Sequence, residues 1–196
     1  MLEKKLTITD YGIYIMSLDK LLAFLKENKI KSKKILDVFQ KNHELYLKSL
    51  QEGIWIPIVP IESTKYIVNS ESDIYFTNGW ERKFKYENFN LEISNNTFWV
   101  GSFGSLLNLN VEQFVNSTDA SISYQTLDGV TLFKSFKFNL DSGKYLVNIL
   151  GYKRKETLEY PEANFGYSFE FKKVEEFNGY MDPREDDKYL FNLSKY

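Results

Sequence analysis

"SISYQTLDGVTLFKSFKFNL", residues 121–140, decides the fold class: two arms of alternating aromatic, β-branched and polar residues flank Asp128 and Gly129, a pair suited to a two-residue hairpin loop that needs positive φ twice. Pairing Leu127 with Val130 places Tyr124 opposite Phe133 and Ile122 opposite Ser135, while Leu132, Phe136, Phe138 and Leu140 fall on the other face. Both faces therefore bury something. Outward from this ribbon the same grammar repeats. "DSG" at 141–143 turns the chain into "KYLVNILGYKR", and "NFGYSFEFKKV" sets Phe165, Tyr167, Phe169 and Phe171 against a wetter side. Upstream, strands are predicted at about 64–69, 73–77, 80–86, 89–94 and 97–103, separated by "NSES", "NG", "EN" and "NN". "KYLFNL" at 188–193 reads as a last strand.

The front of the chain has a different period. "KLTITDYGIYIM" at 5–16 reads as a short strand pair or one bent strand. Ser17 then suits an N-cap for helix over about 18–27, with Leu18, Leu21, Leu22 and Leu25 at helical spacing and Asp19 in the first turn. A second helix is predicted over about 33–51 on the stripe Leu36, Phe39, Tyr46, Leu47 and Leu50, with Gly53 past its end. "IWIPIVPIE" carries Pro57 and Pro60, which remove ladder donors and mark an edge strand or a bent crossover. "VEQFVNSTD" at 111–119 suits one or two helical turns. The expected architecture is α+β: an N-terminal helical pair, within about 17–53, packed on a large and mainly antiparallel sheet over about 54–196, as a meander, strongly twisted or sandwich-like. With no repeat and no Gly/Ser/Pro linker, residues 1–196 are expected to form one domain.

Composition narrows the chemistry. Of 196 residues, 16 are Phe and 14 Tyr, which favours buried rings over a solvated chain. The 25 basic and 27 acidic residues leave a charge of -2, which gives no global field to attract phosphate backbones. Nucleic acid is thus not an expected partner, although "KIKSKK" at 29–34 is a local basic run at a helix start. The absence of cysteine removes disulfides, thiolate nucleophiles and Cys-ligated metals. Thr7, Thr9, Asp10 and Tyr11 interrupt any apolar core of a signal peptide, and no run is long enough to span a bilayer, so no membrane partner is expected and the compartment is read as cytoplasmic.

No catalytic, cofactor or metal site is expected. His43, the sole histidine, falls on the stripe of the second helix and reads as a partly buried structural residue. "GSFGS" at 101–105 places Phe103 where a hydrolase elbow needs serine, and "DPREDDKYLFNL" lacks the glycine and the last carboxylate of a calcium loop. Glu87, Glu92, Glu170 and Asp187 could supply a pair of carboxylates, which keeps a carbohydrate- or small-ligand-binding β-domain, even a two-carboxylate hydrolase, as an alternative. Two features could contact a partner. One is the densest acidic group in the chain, Asp182, Glu185, Asp186 and Asp187 in "GYMDPREDDKYLFN", whose bland reading is a solvated loop. The other is Trp80, read as an exposed anchor beside the "NG" turn, whereas Trp99 is assigned to the core.

Three stretches, "LTITDYGIYIMSLDKLLAFLKEN", "SDIYFTNGWERKFKYENFNLEI" and "ANFGYSFEFKK", give the chain a style that resembles the immunity proteins of bacterial polymorphic toxin and secreted effector systems. That resemblance transfers no residue role. It implies a cytoplasmic binding protein, monomer or weak dimer and free of cofactor, that neutralises a cognate toxin stoichiometrically. A phage or mobile-element structural protein is a further alternative.

Overall fold

The structure, a computed structural model, describes residues 3–70, 75–117, 119–185 and 187–196. Ten strands form a single hydrogen-bonded sheet: β1 (Lys5–Thr7), β2 (Ile13–Met16), β3 (Trp55–Ile58), β4 (Lys65–Asn69), β5 (Trp80–Ile93), β6 (Thr97–Ser102), β7 (Ser121–Gln125), β8 (Thr131–Asn139), β9 (Gly143–Arg154) and β10 (Phe165–Val174). Their order is β3-β2-β6-β8-β1-β4-β10-β9-β5, with β7 added to β8. It is mainly antiparallel, as expected, with parallel pairing at β1/β8 and β4/β10. It is not a meander. β1 and β2, adjacent in sequence, are not partners: β2 lies between β3 and β6, and β1 between β8 and β4. The sheet bends until its ends approach, where the Glu92 amide on β5 donates to the Gly53 carbonyl just ahead of β3 at 2.7 Å. Pro57 sits on β3, the end strand, where its missing N–H costs no ladder bond.

Among the described residues the α-helices are α1 (Leu18–Glu27), α2 (Ile35–Lys41), α3 (His43–Gln51), α4 (Gly104–Leu107) and α5 (Val111–Val115). The expected N-terminal pair is thus a set of three. The second helix breaks at Asn42, whose backbone is extended (φ -128°, ψ 90°) and whose side chain accepts the Leu45 amide at 3.0 Å, so one residue stops α2 and caps α3.

Strand alternation on β2 and β6 separates the two largest of three buried clusters. On β2, Ile13 and Ile15 enter the cluster enclosed by the sheet, while Tyr14 and Met16 face the helices. On β6, Phe98 and Val100 point inward, and Trp99 meets Phe114 of α5 edge-on at 5.0 Å. Both faces of β2 and β3 are dry, which explains their unbroken apolar sequences.

Three other expectations change. The strands predicted at 80–86 and 89–94 are one strand, β5, because Asn88 (φ 70°) adopts the left-handed conformation in a bulge and not in a hairpin turn. The Asp128–Gly129 hairpin exists, but it closes through Thr126, whose hydroxyl accepts the Val130 amide at 3.0 Å. Tyr124 therefore faces Leu132, and a bulge after Ile122 restores the expected Ile122/Ser135 pair. "KYLFNL" does not join the sheet: Lys188 lies in a turn, Leu193 opens a short 3-10 turn, and Tyr189, Phe191 and Leu193 enter the enclosed cluster as a plug. Part of the strand expected at 73–77 lies outside the described residues, and 75–77 is not a strand.

Candidate functional site

An aromatic recess of about 350 Å³ lies where α2, α3 and the β3 edge meet. Phe39 comes from α2, Tyr46 from α3 and Trp55 from β3; Phe103, just past β6, and Tyr11, just ahead of β2, complete the wall. These rings interlock. Phe39 stacks on Trp55 at 5.0 Å, and Tyr46 meets Trp55 edge-on at 6.3 Å. The indole N–H of Trp55 is satisfied inside by Ser49 Oγ at 2.9 Å, so its ring is fixed before anything binds. Tyr11 is 55% exposed and stands at the lip, edge-on to Phe103 at 5.8 Å.

The acidic loop is anchored at this recess. Tyr46 Oη donates to Asp182 Oδ1 at 2.6 Å, and the Arg184 amide donates to the same oxygen at 2.9 Å. Asp182 is half-buried and Pro183 buried, while Arg184, Glu185 and Asp187 are exposed. The Arg184 guanidinium lies 4.9 Å from the centre of the Tyr46 ring and lines the recess. Burial pushes the Tyr46 hydroxyl far above the usual tyrosine range, and the hydrogen bond to Asp182 and that carboxylate's charge push it further, against the opposing Arg184 cation. Tyr46 therefore stays a hydrogen-bond donor. C-terminal to it, the Lys188 and Tyr189 amides both donate to Glu185 O, at 2.9 and 3.0 Å, before the chain dives into the core.

Of the residues that the sequence singled out, Asp182, Glu185 and Asp187 share this loop, and Asp186 lies outside the described residues. Trp80 does not join them and is not an exposed anchor. It opens β5 opposite Arg154, is only 8% exposed, carries the Arg154 guanidinium 4.4 Å from its ring centre and meets Phe76 edge-on at 5.0 Å. His43 is exposed in the first turn of α3, beside Tyr46, and not part of a buried stripe. Glu87 and Glu170 converge on Lys85, at 3.2 and 2.9 Å, and Glu92 pairs with Lys20 at 2.6 Å, so each of these three acids is held by a lysine. Among the described residues no three His, Cys, Asp or Glu side chains converge as a metal site. Nor is any helix among them long and apolar enough to cross a membrane. Ser102 of the "GSFGS" stretch donates to Asp10 at 2.9 Å and ends β6.

Reasoning from the sequence missed Tyr11, Phe103 and Arg184 as site residues, and it raised Trp55 only alongside Trp80 and Trp99 as a tryptophan that could stack a sugar or anchor a partner. Two signals were available: the double proline of "IWIPIVP", which keeps an aromatic edge from being paired over, and an arginine set inside an acidic run. Comparison of the chain with protein-family models, with curated proteins and with solved structures returns no match.

Proposed function

We propose that this chain is a cytoplasmic protein-binding protein of the immunity type, which neutralises a cognate toxin by occupying its surface stoichiometrically. One observation carries the reading: a loop of carboxylates is held in a fixed conformation, through Tyr46 and Asp182, on the rim of an interlocked aromatic recess. Protein interfaces concentrate their energy in rings packed at the centre, and a charged rim sets orientation and encounter rate. Pre-fixed rings and a pre-fixed loop lower the ordering cost of association. The partner that complements this rim presents basic side chains around an apolar or aromatic knob.

The test is co-expression with the product of the gene that adjoins this chain's own, as the candidate toxin. Protection is expected, and the double change Glu185→Lys and Asp187→Lys should weaken binding of the toxin by at least about tenfold, mostly through the association rate and more so at low salt. A toxin that kills equally with and without the chain overturns the reading, as does full protection by a folded variant carrying both the charge reversals and Tyr11→Ala.

A further inference from the structure

The lysine-rich run at 29–34 is not absorbed by the aromatic recess. It lies along a second, larger depression, an open groove of about 810 Å³ that shares no lining residue with the first. We propose that this groove is a docking site for an acidic amphipathic helix of a protein partner.

Its wall is rigid for a reason legible in the backbone. Helix α1 ends in a Schellman motif: Lys29 (φ 56°) adopts the left-handed conformation, its amide donates to the Lys26 carbonyl at 3.1 Å, and the Ile30 amide donates to the Leu25 carbonyl at 2.8 Å. The apolar pair that accompanies such a motif, Leu25 and Ile30, forms part of the groove's lining. Across it, the Leu109 amide donates to the Lys33 carbonyl at 2.7 Å and fastens the opposite bank. Leu22, Leu109 and Val111 complete an aliphatic floor.

Charge defines the occupant. Lys26, Lys29, Lys31 and Lys33 line the groove against one acid, Glu112, and among the described residues none of the four is in an ion pair. Four ammonium groups around aliphatic side chains fit carboxylates flanking an apolar stripe. The lining has neither an aromatic ring on which a base could stack nor an arginine to grip a phosphate in a fork, so a nucleic acid is the poorer fit. The groove is bounded by the C-terminal end of α1, the N-terminal turn of α5 and loops, and no strand residue lines it, which leaves helix-in-groove docking as the mode. Next to lining residues in the chain, Leu107 is 50% exposed, and Val115, one turn beyond Val111 on α5, is 68% exposed.

The test uses the full chain and a fluorescein-labelled peptide of about 15 residues with leucine at helical i, i+3, i+4, i+7 spacing and glutamate elsewhere, read by anisotropy. Saturable binding with a Kd on the order of 10 μM is expected, weakened about tenfold or more by Lys29→Gln/Lys31→Gln/Lys33→Gln and, separately, by Ile30→Ser. Amide chemical shifts should move at Leu25, Ile30, Leu109 and Val111. The lysines are exposed, so an unchanged melting temperature of the triple variant shows that the loss is local. Polyglutamate of equal length or a single-stranded oligonucleotide binding as tightly as the peptide overturns the proposal, as does binding that the lysine changes leave intact or an absence of saturation up to about 1 mM.

Discussion

Tyr46 does two jobs at once: its ring is part of the recess, and its hydroxyl fixes the acidic loop through Asp182. A hydrogen bond to a carboxylate that is half out of water contributes about 1.5–3 kcal/mol, and removing the donor leaves that carboxylate with the Arg184 amide alone. Tyr46→Phe keeps the ring and should therefore cost about 1–3 kcal/mol in urea unfolding and speed hydrogen exchange at Arg184, while the intrinsic fluorescence of Trp55 changes little. A second residue acts by having no side chain. Gly101 on β6 lies against the Tyr14 and Ser135 hydroxyls, which hydrogen-bond each other at 2.7 Å in the core. A methyl group there would collide with both. Gly101→Ala is expected to lower stability by about 1–3 kcal/mol through overpacking, measured by the same unfolding experiment, whereas Gly129→Ala meets no atoms and is strained only through its φ of 82°.

At the scale of elements, the break at Asn42 matters most, because it turns one predicted helix into two and swings Phe39 and Tyr46 onto the same recess. Asn42→Ala removes the cap on Leu45 and should cost about 0.5–2 kcal/mol, with α3 fraying first in hydrogen exchange. The sequence hinted at this break without resolving it: Asn is a good cap, but it also occurs inside helices, and the apolar stripe runs on through both segments. Position 88 shows the same ambiguity. Asn tolerates the left-handed conformation that turns and bulges both need, so "EN" reads as a hairpin until the pairing of β5 with β9 on either side of it is seen. Most strands, their alternation and the Asn95–Asn96 turn were legible because they depend on neighbours in sequence. The strand order, the closure of Gly53 on Glu92 and the burial of Trp80 under Arg154 were not, since each depends on partners far along the chain. The acidic half of the site was legible for its density; the aromatic half is gathered from five separate segments that no local pattern links.

Across the whole molecule, tyrosine is the residue that ties core to function. Tyr14 and Tyr46 lie in the cluster under the helices, and Tyr66 and Tyr167 in the cluster within the sheet. Burial pushes all four hydroxyls well above the usual tyrosine value; the charge of Asp182 adds to this at Tyr46, and that of Glu62 at Tyr66. In the unfolded chain the same groups ionise near 10. Above about pH 10, then, the unfolded state binds fewer protons than the folded state, and stability must fall with rising pH; below that value their contribution is fully present. Each group supplies at most about 1.4 kcal/mol per pH unit, so four together approach about 5 kcal/mol per unit, enough to exhaust the stability of an ordinary domain within two or three units. Urea midpoints measured between about pH 8 and about pH 12 should drop steeply in the upper half of that range. Tyrosinate absorbance from the four buried hydroxyls should appear only together with loss of near-ultraviolet circular dichroism, as they ionise on unfolding. A single smooth titration of all tyrosines near 10, with the fold intact, would show that these hydroxyls are open to water and would remove the basis for Tyr46 as a permanently protonated anchor of the acidic loop.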